Sequence, residues 1–233
     1  WVFGIPTSES HALVAGLSGA AIALNGGVEG INLNEWVKVL EGLILSAILG
    51  FVFGFLICRI IVLIFSHIPA KNSNDFFQYA QIGAGAAMAF MHGAQDGQKF
   101  FAVFTMCAGV SVGKNNNLLL IILCALVMGF GTATGGKKII KSVGMDMVKL
   151  EKYQGFSADA ASSVALLLST VLGFPVSTTH AKTTAMMGAG VAKNKRSLNT
   201  SVIRDIALTW LLTFPGCGLL GFVTTKIFLH IFL

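Results

Sequence analysis

Charge is what this sequence has least of. Asp, Glu, Lys and Arg supply 11% of its 233 residues, against about 25% in soluble domains, while hydrophobic residues supply 55%. That balance excludes an ordinary soluble domain and points to a chain that lives in a bilayer. Cysteine is also scarce. Cys58, Cys107, Cys124 and Cys217 sit in apolar stretches without CxxC or metal-ligand spacing, which leaves buried packing rather than a disulfide framework or zinc. There is no base–orienter set and no metal triad, which argues against a membrane enzyme. The chain opens on Trp1 part-way through a motif, so sequence preceding Trp1 is expected. The net charge of +6 does not call for nucleic acid, because basic excess in a membrane chain marks cytoplasmic loops.

What the sequence does have is glycine, 27 residues of it, and a segment that occurs twice. Residues 4–23 read GIPTSESHALVAGLSGAAIA and residues 173–192 read GFPVSTTHAKTTAMMGAGVA. Without a gap they share Gly4/Gly173, Pro6/Pro175, Ser8/Ser177 and His11/His180. Each copy sets a helix-breaking Gly-x-Pro before a group of hydroxyls and a His. Two interrupted segments at corresponding places in two halves of a membrane chain point to a transport site.

A span needs roughly 20 apolar residues. Residues 42–58, 118–134 and 206–225 are uncharged, and 76–95 are uncharged apart from His92. Residues 160–179 are uncharged too, but Gly173-Phe174-Pro175 divides them, and proline there forbids a continuous helix. A re-entrant hairpin is predicted: a half-helix to about Leu172, a turn over 173–177 and a second half-helix to about Ala192. The flanking segments 135–155 and 193–204 are both basic and both belong on the cytoplasmic side, as a hairpin entering and leaving on one side requires. Segment 25–41, with Glu29, Glu35 and Glu41 against Lys38, belongs outside, so the first hairpin opens outward and the second inward. Residues 75–110 exceed one straight span, which predicts a broken helix. Residues 137–153 read as an amphipathic surface helix. The expected fold is an all-α membrane protein, an inverted-repeat transporter with two re-entrant helical hairpins and discontinuous transmembrane helices. Residues 1–70 form the remainder of the first repeat and 71–233 the second.

Thr7, Ser8, Glu9 and Ser10 follow the first break, and Ser177, Thr178 and Thr179 the second. Backbone N–H groups at a helix start bind oxyanions, and hydroxyls add donors; singly, such residues are also ordinary N-caps. A second candidate is Met91–Lys99, where polar residues interrupt an apolar span. A charge at membrane depth costs about 2.5–3.5 kcal/mol on insertion scales, so Asp96 needs a cation, Lys99 or a hydrated cavity. Unwound carbonyls around Gly93 and Gly97 would complete a Na+ site; the alternative is a surface loop. Asp159 is either functional or a charge favoured by a helix N-terminus. Glu9 either pairs with Lys182, serves a cation or faces away. His11 and His180 suit helix packing or orienting the hydroxyls better than metal ligation.

These residues resemble those of the inorganic phosphate transporter (PiT) family of secondary carriers. GFPVSTTHAK at 173–182 is similar to the family's second-repeat motif, in which animal-type members also carry Lys at the position of Lys182. HGAQDGQK at 92–99 resembles the bacterial HGSNDGQK form of its Asn-Asp signature, GFSAD at 155–159 the stretch before the second hairpin, and GIPTSESH at 4–11 the first-repeat partner. The resemblance implies Na+- or H+-coupled symport of inorganic phosphate by alternating access in a bacterial plasma membrane, with no organic cofactor. It implies anion contacts from Ser8, Ser10, Ser177, Thr178, Thr179 and Gln95. It implies cation or mixed contacts from Gln95 and Asp96, the latter a candidate Na+ ligand; Glu9 and Asp159 are further candidates for cation coupling. Partners implied are phosphate, the coupling cation, the lipid bilayer and a second copy in a homodimer. Three departures stand out: Gln95 replaces the signature Asn, Glu9 replaces a hydroxyl residue, and the first-repeat Asn-Asp signature is absent. Sulfate, which is also tetrahedral, and a passive anion channel are the rival readings.

Overall fold

Helix is the form in which a chain in hydrocarbon satisfies its own backbone, and nearly all of this chain takes it. The computed structural model describes residues 6–107, 109, 117–194 and 197–232; Gly4, Lys195 and Arg196 of the motifs above lie outside them. The helices are α1 (Glu9–Asn25), α2 (Leu33–Phe65), α3 (Ala70–Cys107), α4 (Asn117–Lys141), α5 (Lys152–Val171), α6 (Thr178–Lys193) and α7 (Thr200–Phe232). A 3-10 turn covers Val28–Gly30 and a π-helical turn Ser142–Met147. Among the described residues there is no strand, only one antiparallel bridge between Val148 and Leu198. Among the described residues, three helices are long and apolar enough to cross a membrane: Leu33–Phe65, Leu118–Met147 and Thr200–Phe232. Large apolar side chains such as Leu63, Phe90, Leu119, Phe130 and Leu211 line the outside, the polarity expected where the solvent is lipid.

The division between α5 and α6 follows the sequence closely. Glu151 and Gln154 close a capping box at the start of α5. At its end Gly173 takes φ +73°, and the N–H groups of Gly173 and Phe174 donate to the carbonyls of Thr170 and Ser169 at 3.2 and 3.0 Å. That is the left-handed cap a glycine provides most cheaply. Pro175 then prevents resumption, and Ser177 caps α6.

Two expectations fail. Helix α3 is unbroken over its 38 residues, about 57 Å at 1.5 Å per residue, so the unwound carbonyls expected at Gly93 and Gly97 are absent. A mid-helix glycine costs only about 1 kcal/mol, less than freeing backbone groups at membrane depth. The stretch 137–153 is not a surface helix either. Residues 137–141 finish α4, the π turn follows, and Asn199 N–H donates to Met147 carbonyl at 2.9 Å. Val143, Met147 and Val148 are buried with Cys58, Ala158, Ala185, Ala189 and Ile206, so the apolar face covers protein rather than lipid.

Packing is crossed: α6 lies along α2, and α1 along α7. Both contacts are set by glycine. A Cβ on Gly188 would lie 2.1 Å from Phe51 carbonyl oxygen, and one on Gly54 2.2 Å from that of Ala185. In the other pair a Cβ on Gly19 would lie 1.9 Å from Gly218 carbonyl oxygen, and one on Gly221 2.1 Å from that of Gly16. Small residues that let backbones approach are the usual device for joining helices in lipid.

Candidate functional site

The crossed packing brings the starts of α1 and α6 together. The two copies of the repeat are capped alike: Ser8 Oγ accepts from His11 N–H at 3.3 Å, and Ser177 Oγ from His180 N–H at 3.2 Å. Thr179 Oγ1 donates to Thr7 carbonyl at 3.2 Å, tying one turn to the other. Behind them His11 and His180 are fully buried with ring centroids 5.0 Å apart. His11 packs on Phe214, and His180 meets Trp210 edge-on at 3.6 Å. Neither ring nitrogen of His180 has a partner among the described residues, so these histidines pack the tips together, as expected. Trp210 Nε1 donates to Pro6 carbonyl at 3.3 Å, which anchors the first turn to α7.

Helix α3 supplies the polar centre. His92, Asp96 and Lys99 share one face by their i, i+3 and i+4 spacing. Asp96 is 2% exposed. Its Oδ1 accepts from Lys99 Nζ at 3.0 Å and Ser10 Oγ at 3.4 Å; its Oδ2 accepts from Thr178 Oγ1 at 2.9 Å and lies 3.0 Å from His92 Nε2. Lys99 Nζ also donates to Ser10 Oγ at 2.5 Å and Val176 carbonyl at 3.3 Å. One carboxylate and one ammonium thus touch both turns.

The other sequence candidates divide. Ser8 and Ser177 serve as caps. The amide of Gln95 is spent on α5, donating to Thr170 Oγ1 at 2.5 Å and Leu166 carbonyl at 3.4 Å; it braces α3 and is not bonded to either hydroxyl turn. Asp159 is paired with Lys182, so the expected alternative of a Glu9–Lys182 pair is not formed. Glu9 is half-buried, and one ligand atom each from Glu9, His92 and Asp96 lie within 4.8 Å of one another. Their carboxylate oxygens suit a hard cation such as Na+. The fit is partial, since Asp96 Oδ1 already holds an ammonium. Glu9 and His92 face a cavity of about 860 Å³ between α3 and α4, with a mainly apolar lining that includes Phe101, Cys124 and Met128. Sequence reasoning missed Thr170, Trp210 and the reach of Lys99 to both turns. The i, i+3 spacing of Asp96 and Lys99 was the available signal for the last; no spacing announces the other two.

A family model described as the phosphate transporter family matches residues 1–221. A probable low-affinity inorganic phosphate transporter of Bacillus subtilis is 35% identical over 236 residues, covering 100% of this chain and 71% of its own length. One of Mycobacterium leprae is 33% identical over 229 residues, covering 96% of this chain and 55% of its own length. The chain therefore spans from just over half to about seven-tenths of these relatives, which are named as transporters and not as enzymes. Among solved structures, one titled the sodium-dependent phosphate transporter matches with TM-score 0.79 at 21% identity, over 100% of this chain and 76% of that one, which establishes the fold. With a family model over nearly its whole length and three apolar helices long enough to span a bilayer, the chain is an integral membrane protein and belongs to the phosphate transporter family.

Proposed function

We propose that this chain carries inorganic phosphate across the membrane, coupled to Na+ or H+, by alternating access around the meeting point of the α1 and α6 turns. The observation that carries the reading is the convergence of Ser10, Thr178 and Lys99 on one buried carboxylate. These are neutral and cationic donors already arranged around an oxyanion, beside two helix N-termini. The family and the names of the relatives support phosphate as that oxyanion. The name of the structural neighbour favours Na+ as the coupling ion, and the carboxylates of Glu9 and Asp96 are the oxygen ligands nearest to hand for it. Asp159 would serve a cation only if Lys182 were released from it.

The two turns act as opposed hairpin tips of inverted repeats, 1–70 and 71–233. The matched capping of Ser8 and Ser177 and the matched glycine contacts of α6 on α2 and α1 on α7 support this. Each crossed pair would then move as a unit while the tips gate a fixed site.

The test is labelled phosphate uptake into proteoliposomes of the full-length protein, with Na+ and proton gradients imposed separately and sulfate as competitor. Saturable, gradient-dependent uptake with weak sulfate competition is expected. Uptake that neither saturates nor responds to a gradient would make it a channel, and equal competition by sulfate would remove phosphate as the specific substrate.

A further inference from the structure

Asp96 sits where a substrate would. Its carboxylate is an oxyanion, 2% exposed, and its hydrogen-bond donors are one hydroxyl from each turn, Ser10 and Thr178, together with the Lys99 ammonium and His92. Three of these come from different helices, and each would serve a tetrahedral anion equally well. Lys99 completes the arrangement by reaching Ser10 Oγ and Val176 carbonyl at the same time. With the carboxylate in place, the donors are satisfied and the charges of Asp96 and Lys99 balance. An incoming anion finds no free hydroxyl among these.

We propose that Asp96 is an internal stand-in for the substrate, and that phosphate binds by exchange, displacing the carboxylate from Ser10, Thr178 and Lys99. This rests on the phosphate-carrier reading above. Exchange leaves Lys99 as the counter-ion of the phosphate and releases a carboxylate beside Glu9 and His92, whose ligand atoms already lie within 4.8 Å of it. The freed carboxylate is the group a coupling cation needs. Anion and cation binding are then linked through one side chain, and each must strengthen the other by the same factor.

Removing Asp96 should tighten phosphate binding when no coupling cation is present. If the donors are free of the carboxylate about one-tenth of the time, abolishing the competitor tightens apparent affinity by about tenfold. The experiment is equilibrium binding of labelled phosphate to purified full-length protein in nanodiscs, in choline buffer, for wild type, Asp96→Asn and Asp96→Ala. Asp96→Ala is expected to bind phosphate about tenfold more tightly than wild type, and Asp96→Asn, which keeps a neutral and weaker acceptor, to bind it more tightly than wild type by a smaller factor. In Asp96→Ala, added formate should fill the vacated position and compete with phosphate at concentrations that leave wild type unaffected. In wild type Na+ should tighten phosphate binding, and in both variants that effect should vanish. Binding in the variants that is unchanged or weaker, with wild type binding normally, overturns the stand-in and leaves the carrier reading intact. If one variant does not fold, the other decides. A wild type that binds no phosphate at all overturns both.

Discussion

Lys182 and Asp159 join the two arms of the divided segment, α6 to α5, and their pairing is open to a quantitative test. The Lys182 side chain is 29% exposed and that of Asp159 14%, and a Cβ on Gly85 of α3 would lie 3.9 Å from Asp159 Oδ2. Breaking a buried pair by removing one partner costs about 3–5 kcal/mol, because the other charge is left unpaired. The partial exposure of both groups reduces this to roughly 2–3 kcal/mol for either Lys182→Met or Asp159→Leu alone. Replacing both by apolar side chains removes the stranded charge, so the double variant should lie within about 1 kcal/mol of wild type. The unfolding free energies of the four proteins, from denaturing-detergent titration in mixed micelles, form a double-mutant cycle with an expected coupling of at least about 3 kcal/mol. Single losses below about 0.5 kcal/mol, or a double variant equal to the sum of the singles, would refute the pairing as a structural tie.

Other substitutions separate further roles. Gly188→Ala drives a Cβ to 2.1 Å from Phe51 carbonyl oxygen, a backbone atom that cannot yield, and should cost about 1–3 kcal/mol. Gly83→Ala, with open space around it, should be neutral or slightly stabilising; thermal shifts of the two purified variants compare them directly. Gly173→Ala places a side chain at φ +73° and should lose about 1–2 kcal/mol in the same assay. Ser177→Ala removes a cap worth about 1 kcal/mol, whereas Thr178→Ala removes the hydroxyl on Asp96 Oδ2. Phosphate uptake should therefore fall further in Thr178→Ala than in Ser177→Ala, and the thermal shift should be at least as large in Thr178→Ala, because a hydrogen bond to a buried charge is worth about 1.5–3 kcal/mol.

The divided helix was readable because glycine and proline impose hard backbone rules. The turn was expected over 173–177, and α5 ends at Val171 with α6 starting at Thr178. The continuity of α3 was not readable, since Gly93 and Gly97 weaken a helix without forbidding it. The burial of segment 137–153 is not legible in the sequence, because Lys137, Lys138 and Lys141 report a polar face but not what the opposite face covers. In the site, the hydroxyls and Asp96 were visible as residue types, and their meeting is the part that needed the fold. Gln95 lies beside Asp96 in sequence yet bonds α5, because neighbours on a helix point about 100° apart. Lys182 was offered Glu9 as a partner and took Asp159, a choice made by how α5 and α6 pack.

The crossed packing has a consequence for how the protein is made. When α6 emerges from the ribosome, its partner α2 has already been synthesised. Helix α1 is in the opposite position: its partner α7 begins about 175 residues after α1 ends. At synthesis rates of about 5–20 residues per second, the interval is about 9 to 35 s. Through that time Gly16 and Gly19 have no α7 backbone to approach. The first turn lacks its anchor at Trp210, and Ser10 waits for Thr178 before the two can share Asp96. The site at the tips is therefore completed only once α7 is in place, and loss of α7 during biosynthesis would leave α1 and its turn without their packing partner.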